Sequence, residues 1–220
     1  MSAAPGWLLV LDTATNTIVV GAGTPDGRLL AADTFEGRYR HSQELLPGVE
    51  RLLARAQLRL GDLVGVIVGT GPGAFTGLRV GIATAKTLAH ELRLPVVGVP
   101  TSEALLAGVA GAKRLWLPSG PRAQLRIDLG EAPQVVHGDD EGRDEDLAVD
   151  LAGRAPGAAA ERGHQAVKGL PESLLRIGAA RLAAGGSDDP ERLVPAYAVA
   201  PRGAPTMEPE GAVAWSRDPR

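Results

Sequence analysis

The sequence predicts an α/β fold in which a three-stranded antiparallel meander leads into strand–helix units on a parallel sheet. Three observations carry this. Trp7–Leu11, Thr17–Ala22 and Arg28–Thr34 are short runs rich in apolar residues and joined by tight turns, the pattern of a meander. Leu63–Val68 is an apolar, β-branched run that passes through a glycine-rich turn into Leu78, Ile82, Ala85, Ala89 and Leu92, spaced as one face of a helix. Leu94–Val99 repeats the arrangement and meets a helix opened by Pro100-Thr-Ser-Glu103, with Thr101 or Ser102 as cap.

The first strand is apolar throughout and is expected to be central. It runs into Asp12-Thr13-Ala14-Thr15. A carboxylate at a strand end followed by hydroxyls can hold a metal-bound water or a phosphate. The same residues can equally close an Asx-type turn between hairpin strands. Pro25-Asp-Gly27 turns the chain into the third strand. Arg40-His41-Ser42 then leads into a helix whose apolar stripe is Leu45, Leu46, Val49, Leu52, Leu53 and Ala56. Ser42 is the expected N-cap, and Pro47 is expected to bend the helix or shorten its first turn. His41 stands alone, since position 45 is a leucine, and His90, His137 and His164 have no partner at ligand spacing. No metal site is therefore expected, and His41 reads as a hydrogen-bonding or interface residue.

The stretch Gly69–Ala89 organises the chain. Its turn carries Gly69, Gly71, Gly73 and Gly77, stiffened by Pro72. A strand, a glycine turn and a helix N-terminus can bind an anion, or can simply pack a helix closely on a strand. Neither standard phosphate motif is met. The glycine after Gly71-x-Gly73 falls at 77, one residue late, and Lys86-Thr87 follows Ala85 rather than glycine. Gly77 and Gly81 share a helix face on which another helix could approach. Mid-helix Gly81 costs roughly 1 kcal/mol relative to alanine, so a close contact there is expected. A meander followed by strand–helix repeats is the order of a ribonuclease-H-like half.

Beyond this lobe, assigned to residues 1–108, a smaller second lobe is expected over 109–198. Arg114–Leu117, Ala123–Ile127 and Gln134–His137 read as short strands, and Asp139–Asp146 as a solvated acidic loop. Leu147–Leu151 reads as a short helix, and Leu174–Ala184 as a longer one with Leu175, Gly178, Ala179 and Leu182 on one face. Residues 199–220 carry Pro201, Pro205, Pro209 and Pro219 and are expected to form a mobile tail, in which Trp215 is either an exposed tryptophan without a role or an apolar anchor that docks a partner or folds back.

The 220 residues can bury a sizeable core, which must rest on Leu, Val, Ile and Ala because aromatics make up 3%. A net charge of −3 argues against autonomous nucleic-acid binding. With no cysteine, disulfides, thiolate metal sites and cysteine nucleophiles are excluded. No apolar run approaches membrane-spanning length, and a cytoplasmic protein is expected.

The run Gly71-Pro-Gly-Ala-Phe-Thr-Gly-Leu-Arg-Val-Gly-Ile-Ala-Thr-Ala-Lys86, with Leu11-Asp-Thr-Ala-Thr15 and Arg40-His-Ser-Gln-Glu-Leu-Leu-Pro47 upstream, resembles the TsaB (YeaZ) family. The resemblance is dense over Leu8–Glu103 and thin afterwards. It implies an actin-like, Hsp70-like ATPase fold with a reduced second lobe, and a paralogue of the catalytic TsaD subunit. It implies a non-catalytic partner of a TsaD-like enzyme that forms threonylcarbamoyladenosine in tRNA. A TsaE-like ATPase, ATP used by the complex rather than by this chain, tRNA met only through the complex, and a homodimer when alone complete that picture. Asp12, Thr13, Thr15, Gly71 and Gly73 are then the remnant of a nucleotide site. The subunit contact falls on the helices Ser42–Ala56 and Thr76–Leu92, with His41, Leu45, Leu46, Val49, Phe75, Gly77, Leu78 and Gly81 as interface residues. The closing Pro195-Ala-Tyr197 fits the family. Leu117-Pro-Ser-Gly-Pro-Arg-Ala123 departs from it, standing where an Asp-Ala-Arg turn is usual. The alternative is a small-molecule kinase or ATPase using Asp12 for metal-water and Gly71–Gly73 for phosphate. A peptidase has little in its favour, because neither a two-histidine zinc helix nor a nucleophile elbow is present.

Overall fold

The computed structural model describes residues 6–37, 40–120, 122–137, 142–151 and 153–198. Its first sheet contains β1 (Trp7–Asp12), β2 (Thr17–Gly23), β3 (Leu29–Glu36), β4 (Leu63–Gly69) and β5 (Val96–Val99), in the order β3-β2-β1-β4-β5. β1 runs antiparallel to β2, with Leu9 opposite Ala22, and parallel to β4, with Leu9 opposite Val66. The meander and the parallel half therefore meet on β1, as the sequence predicts. This is the ribonuclease-H-like, actin-like order.

β1 is buried on both faces, which is why its sequence does not alternate. Trp7, Leu9 and Leu11 pack with Leu45, Val49, Ile82 and Ala85 from helices α1 (His41–Ala56) and α2 (Phe75–Leu92). Leu8 and Val10 pack on the other side with Leu105, Leu170, Leu174 and Leu175, from α3 (Thr101–Ala107) and α4 (Gly157–Ala183). A second sheet holds β6 (Arg114–Pro118), β7 (Ala123–Asp128), β8 (Gln134–His137) and β9 (Leu147–Ala148), ordered β8-β7-β6-β9. Its Leu115, Leu117, Leu125 and Ile127 belong to the same core as Leu8 and Val10. Gly178 of α4 lies against Ile67 of the first sheet, and Gly163 against Ala148 of the second. One helix thus spans both lobes.

The closing segment seals an edge. Asp188 donates its N–H to Val96 O and accepts the Gly98 N–H on its carboxylate, Leu193 enters the core, and the Ala196 N–H reaches Thr70 O. These bonds cover the free side of β5.

Several local expectations are corrected. α1 starts at His41 with Arg40 as N-cap, so Ser42 lies inside the first turn; Arg40 pairs with Glu44 instead. α1 runs unbroken through Pro47. Thr101 does not cap α3, whose N-cap is Pro100. Leu92 is exposed. Leu147–Leu151 is not a helix: Leu147 and Ala148 pair in parallel with β6. The helix expected from Leu174 is the last part of the 27-residue α4. The acidic run is not wholly solvated, because buried Asp146 accepts the Trp116 indole N–H at 2.8 Å. Asp139–Glu141 and the segment 199–220 with Trp215 lie outside the described residues. Among the described residues no helix is long and apolar enough to cross a membrane.

Candidate functional site

The glycine loop and the β1–β2 turn face each other, and their contact decides what either can do. Asp12 is fully buried. Its Oδ1 accepts the Ala14 N–H at 2.8 Å, the Asx geometry with the residue two positions on. Its Oδ2 accepts the Thr101 hydroxyl at 2.6 Å, and Thr101 Oγ1 accepts the Gly71 N–H at 3.0 Å. Burial pushes the Asp12 carboxyl up to about 6, against the opposing pull of the Thr101 and Ala14 hydrogen bonds. The Thr13 hydroxyl donates to Gly77 O at 2.7 Å, and the Thr15 hydroxyl is taken up by the backbone of Thr17. His41 Nε2 lies 3.0 Å from Thr15 O.

Four glycines at a spacing of four residues fit this turn. A side chain on Gly69 would overlap the Asp12 carboxylate, on Gly73 the Ala14 carbonyl, on Gly77 the Thr13 carbonyl, and on Gly81 the Thr13 hydroxyl. Gly77 and Gly81 thus receive the chain's own turn, not another helix. Gly71 differs, since its φ of +97° needs glycine for conformation.

The predicted interface residues divide. Leu45, Val49 and Leu78 are core residues, and His41, Gly77 and Gly81 are also buried. Leu46 is 51% exposed and Phe75 is half-buried. The surface that α1 and α2 offer is therefore carried by Leu46, Pro47 and Glu50 with Thr76, Val80 and Ala83, the first three and the threonine and alanine exposed, the valine half-buried.

Beside this pair of helices a cleft of about 470 Å³ opens between the lobes. Ala14, Asn16 and Gly73 lie on one side, and Leu117, Pro118, Ser119 and Leu125 on the other. Asp150 joins the two, accepting the Asn16 N–H at 2.7 Å from a left-handed backbone with φ of 59°. An aromatic wall closes one end. Phe75 and Tyr197 rings stand 5.0 Å apart, the Arg79 guanidinium sits 3.9 Å above Phe75, and Arg79 Nε donates to the Tyr197 hydroxyl at 3.0 Å. Of the expected nucleotide residues only Gly73 lines the cleft, and of the expected interface residues only Phe75. Arg79 and Asp150 were not singled out from sequence, and Thr101 was read only as a helix cap. Arg79 lies inside the glycine motif and Tyr197 in the closing Pro-x-Tyr, so a motif signal existed for that pair; Thr101 and Asp150 carried none.

A sequence profile of the TsaD family, described as tRNA N6-adenosine threonylcarbamoyltransferase, matches residues 36–150, more than half of the chain. The tRNA threonylcarbamoyladenosine biosynthesis protein TsaB of Escherichia coli is 37% identical over 101 residues, and that of Bacillus subtilis 34% over 106. This chain belongs to the TsaB/YeaZ family. Each TsaB alignment covers 46% of this family member and 43% of the relative. An uncharacterized protein of Mycobacterium leprae is 42% identical over 44% of the chain and 28% of its own length. The chain thus spans less than half the length of the curated relatives it matches. The structure of YeaZ from Pseudomonas aeruginosa superposes with a TM-score of 0.66 at 25% identity, over 87% of this TsaB/YeaZ chain and 99% of that one. A second structure, of an uncharacterized protein with similarity to peptidase YeaZ from the same organism, gives 0.67 at 25%, over 88% and 100%.

Proposed function

We propose that this chain acts in threonylcarbamoyladenosine formation in tRNA, as the non-catalytic partner of a TsaD-type transferase. The names of its TsaB relatives support the pathway. One observation carries the non-catalytic part. The Asp12 carboxylate, which an actin-like ATPase would offer to metal-bound water, is spent on Thr101 and Ala14 inside the fold. Thr13 and Thr15 are likewise engaged. With their oxygens engaged inside the fold, these residues do not fit a metal–nucleotide site. ATP then belongs to the complex, with its TsaE-like ATPase.

The partner surface in this reading is the outward side of α1 and α2, centred on Leu46 and Ala83. A second copy of the chain takes that surface when the partner is absent. The net charge of −3 fits a subunit that meets tRNA only through the complex, in the cytoplasm.

Calorimetry tests both parts. The chain titrated with magnesium-ATP gives no binding heat, and titrated with the cognate TsaD-type subunit binds firmly. Leu46→Glu with Ala83→Glu weakens that binding at least about tenfold, as buried charges at an apolar contact do, while circular dichroism stays unchanged. Binding of magnesium-ATP by the chain alone, lost in Asp12→Asn, favours the kinase or ATPase reading instead. Unaltered subunit binding by the double variant means the surface lies elsewhere.

A further inference from the structure

The outward side of α2 has a border on each flank. On one flank lies α1: a side chain on Gly77 would touch His41. On the other runs the closing segment. Lys86 Nζ donates to Leu193 O at 3.4 Å, Arg79 Nε donates to the Tyr197 hydroxyl at 3.0 Å, and the Tyr197 ring stands against Phe75. Positions 75, 79 and 86 share one side of the helix. Between the two flanks α2 exposes Thr76, Ala83 and Thr87, all small and uncharged. Arg79, at the edge of this strip, is taken up by Tyr197 and Phe75.

In the closing segment Leu193 turns into the core and its neighbour Val194 turns out. At 63% exposure Val194 is the most exposed large apolar side chain among the described residues. Its backbone is anchored on both sides, by Lys86 on Leu193 O and by the Ala196 N–H on Thr70 O at 2.8 Å. Pro195 fixes the torsion between the anchors. An apolar side chain held out on an anchored backbone loses little freedom when a partner covers it.

We propose that the closing segment is a third element of the surface that receives the TsaD-type subunit, with Val194 as its contact residue. This rests on the partner reading above and extends it. The subunit lies astride α2, meeting Leu46 of α1 on one side and Val194 on the other. An uncharged middle between two apolar borders is the makeup of an interface core, whereas charged residues belong to the rim.

Titration calorimetry of the full chain with the cognate TsaD-type subunit tests this. Val194→Glu should weaken binding at least about tenfold, as a charge set into an apolar contact does, and Val194→Ala several-fold. Amide exchange at Ala196 should stay as slow as in the parent, which shows that the segment is still docked on Thr70. Should Val194→Glu quicken that exchange, Val194→Ala reads the contact by itself. Parental binding by the Val194 variants, while Leu46→Glu with Ala83→Glu loses it, overturns the third element and leaves the partner reading standing. No binding by the parent chain, or binding untouched by all these variants, removes the partner reading and this inference with it. Sedimentation of the chain alone separates the other occupant. Val194→Glu that binds the subunit as the parent does but no longer self-associates assigns Val194 to a second copy, and overturns the proposal too.

Discussion

Asp12 is the residue on which the most depends. Its carboxyl is raised from 3.8 to about 6 by burial, so the folded chain keeps this proton over a range where the unfolded chain has released it. The stabilisation from this group is fully present below pH 4, is lost as pH rises through about 6, and is constant beyond. A shift of this size corresponds to something on the order of 3 kcal/mol. Asp12→Asn should lack that dependence. In urea denaturation the stability difference between the two proteins should move in the variant's favour by that order between pH 4 and 7. A difference independent of pH would mean that Asp12 is not the titrating group. Thr101→Val leaves both Asp12 Oδ2 and the Gly71 N–H without this partner, and should cost about 1–3 kcal/mol. Gly77→Ala sets a methyl group against the Thr13 carbonyl, a backbone atom that cannot swing aside. A loss of more than about 2 kcal/mol is expected, despite the gain in helix propensity.

Among the elements, α2 holds three neighbours in different ways: the β1–β2 turn through its glycines, α1 through its flank, and the closing segment through Phe75, Arg79 and Lys86. Tyr197→Ala should cost about 1 kcal/mol by removing the ring pair and the Arg79 bond. Its clearer signature is local. Amide exchange at Gly98, which bonds the Asp188 side chain, should quicken far more than at Leu9 in β1. Equal acceleration at both would show that the segment is not a separate opening unit.

How much of this was legible follows from what each element buries. β1, β2, β4 and α2 carry large apolar side chains at regular spacing, and were readable almost to the residue. The first half of α4 buries Ala159, Gly163, Ala166 and Leu170; small residues give almost no hydrophobic signal, and Pro171 reads as a break. β9 is two residues long, and a run such as Leu147–Leu151 has no period that separates strand from helix. The outward or inward direction of α1 residues was half legible: Leu45 and Leu46 both look like stripe residues, and only the sheet beneath decides that the first is core. At the site, the Asx turn was one of two open readings. Its completion by Thr101, 89 positions away, could not be seen in local sequence.

At the scale of the whole molecule, the boundary expected near residue 108 divides the sequence but not the core. Leu8, Val10 and Ile67 share one cluster with Leu125, Leu170 and Leu174. Residues 1–108 alone would lose the α4 and second-sheet side chains that cover one face of their sheet, keeping only α3 on that side. The fragment should be unfolded or aggregated by circular dichroism and light scattering, and co-expression with 109–220 should restore it. A fragment that folds cooperatively by itself would mean that α4 is dispensable to the first sheet.

That single long helix also fixes the mechanics. A jaw that opens and shuts needs a joint, a place where few apolar side chains must part. Here α4 is riveted to both plates, with Gly178 set down on Ile67 and Gly163 on Ala148, and any swing of one plate would tear the oil seal between them. The gap between the lobes is therefore a slot of set width. Whatever docks on this protein meets a rigid gauge rather than a grip.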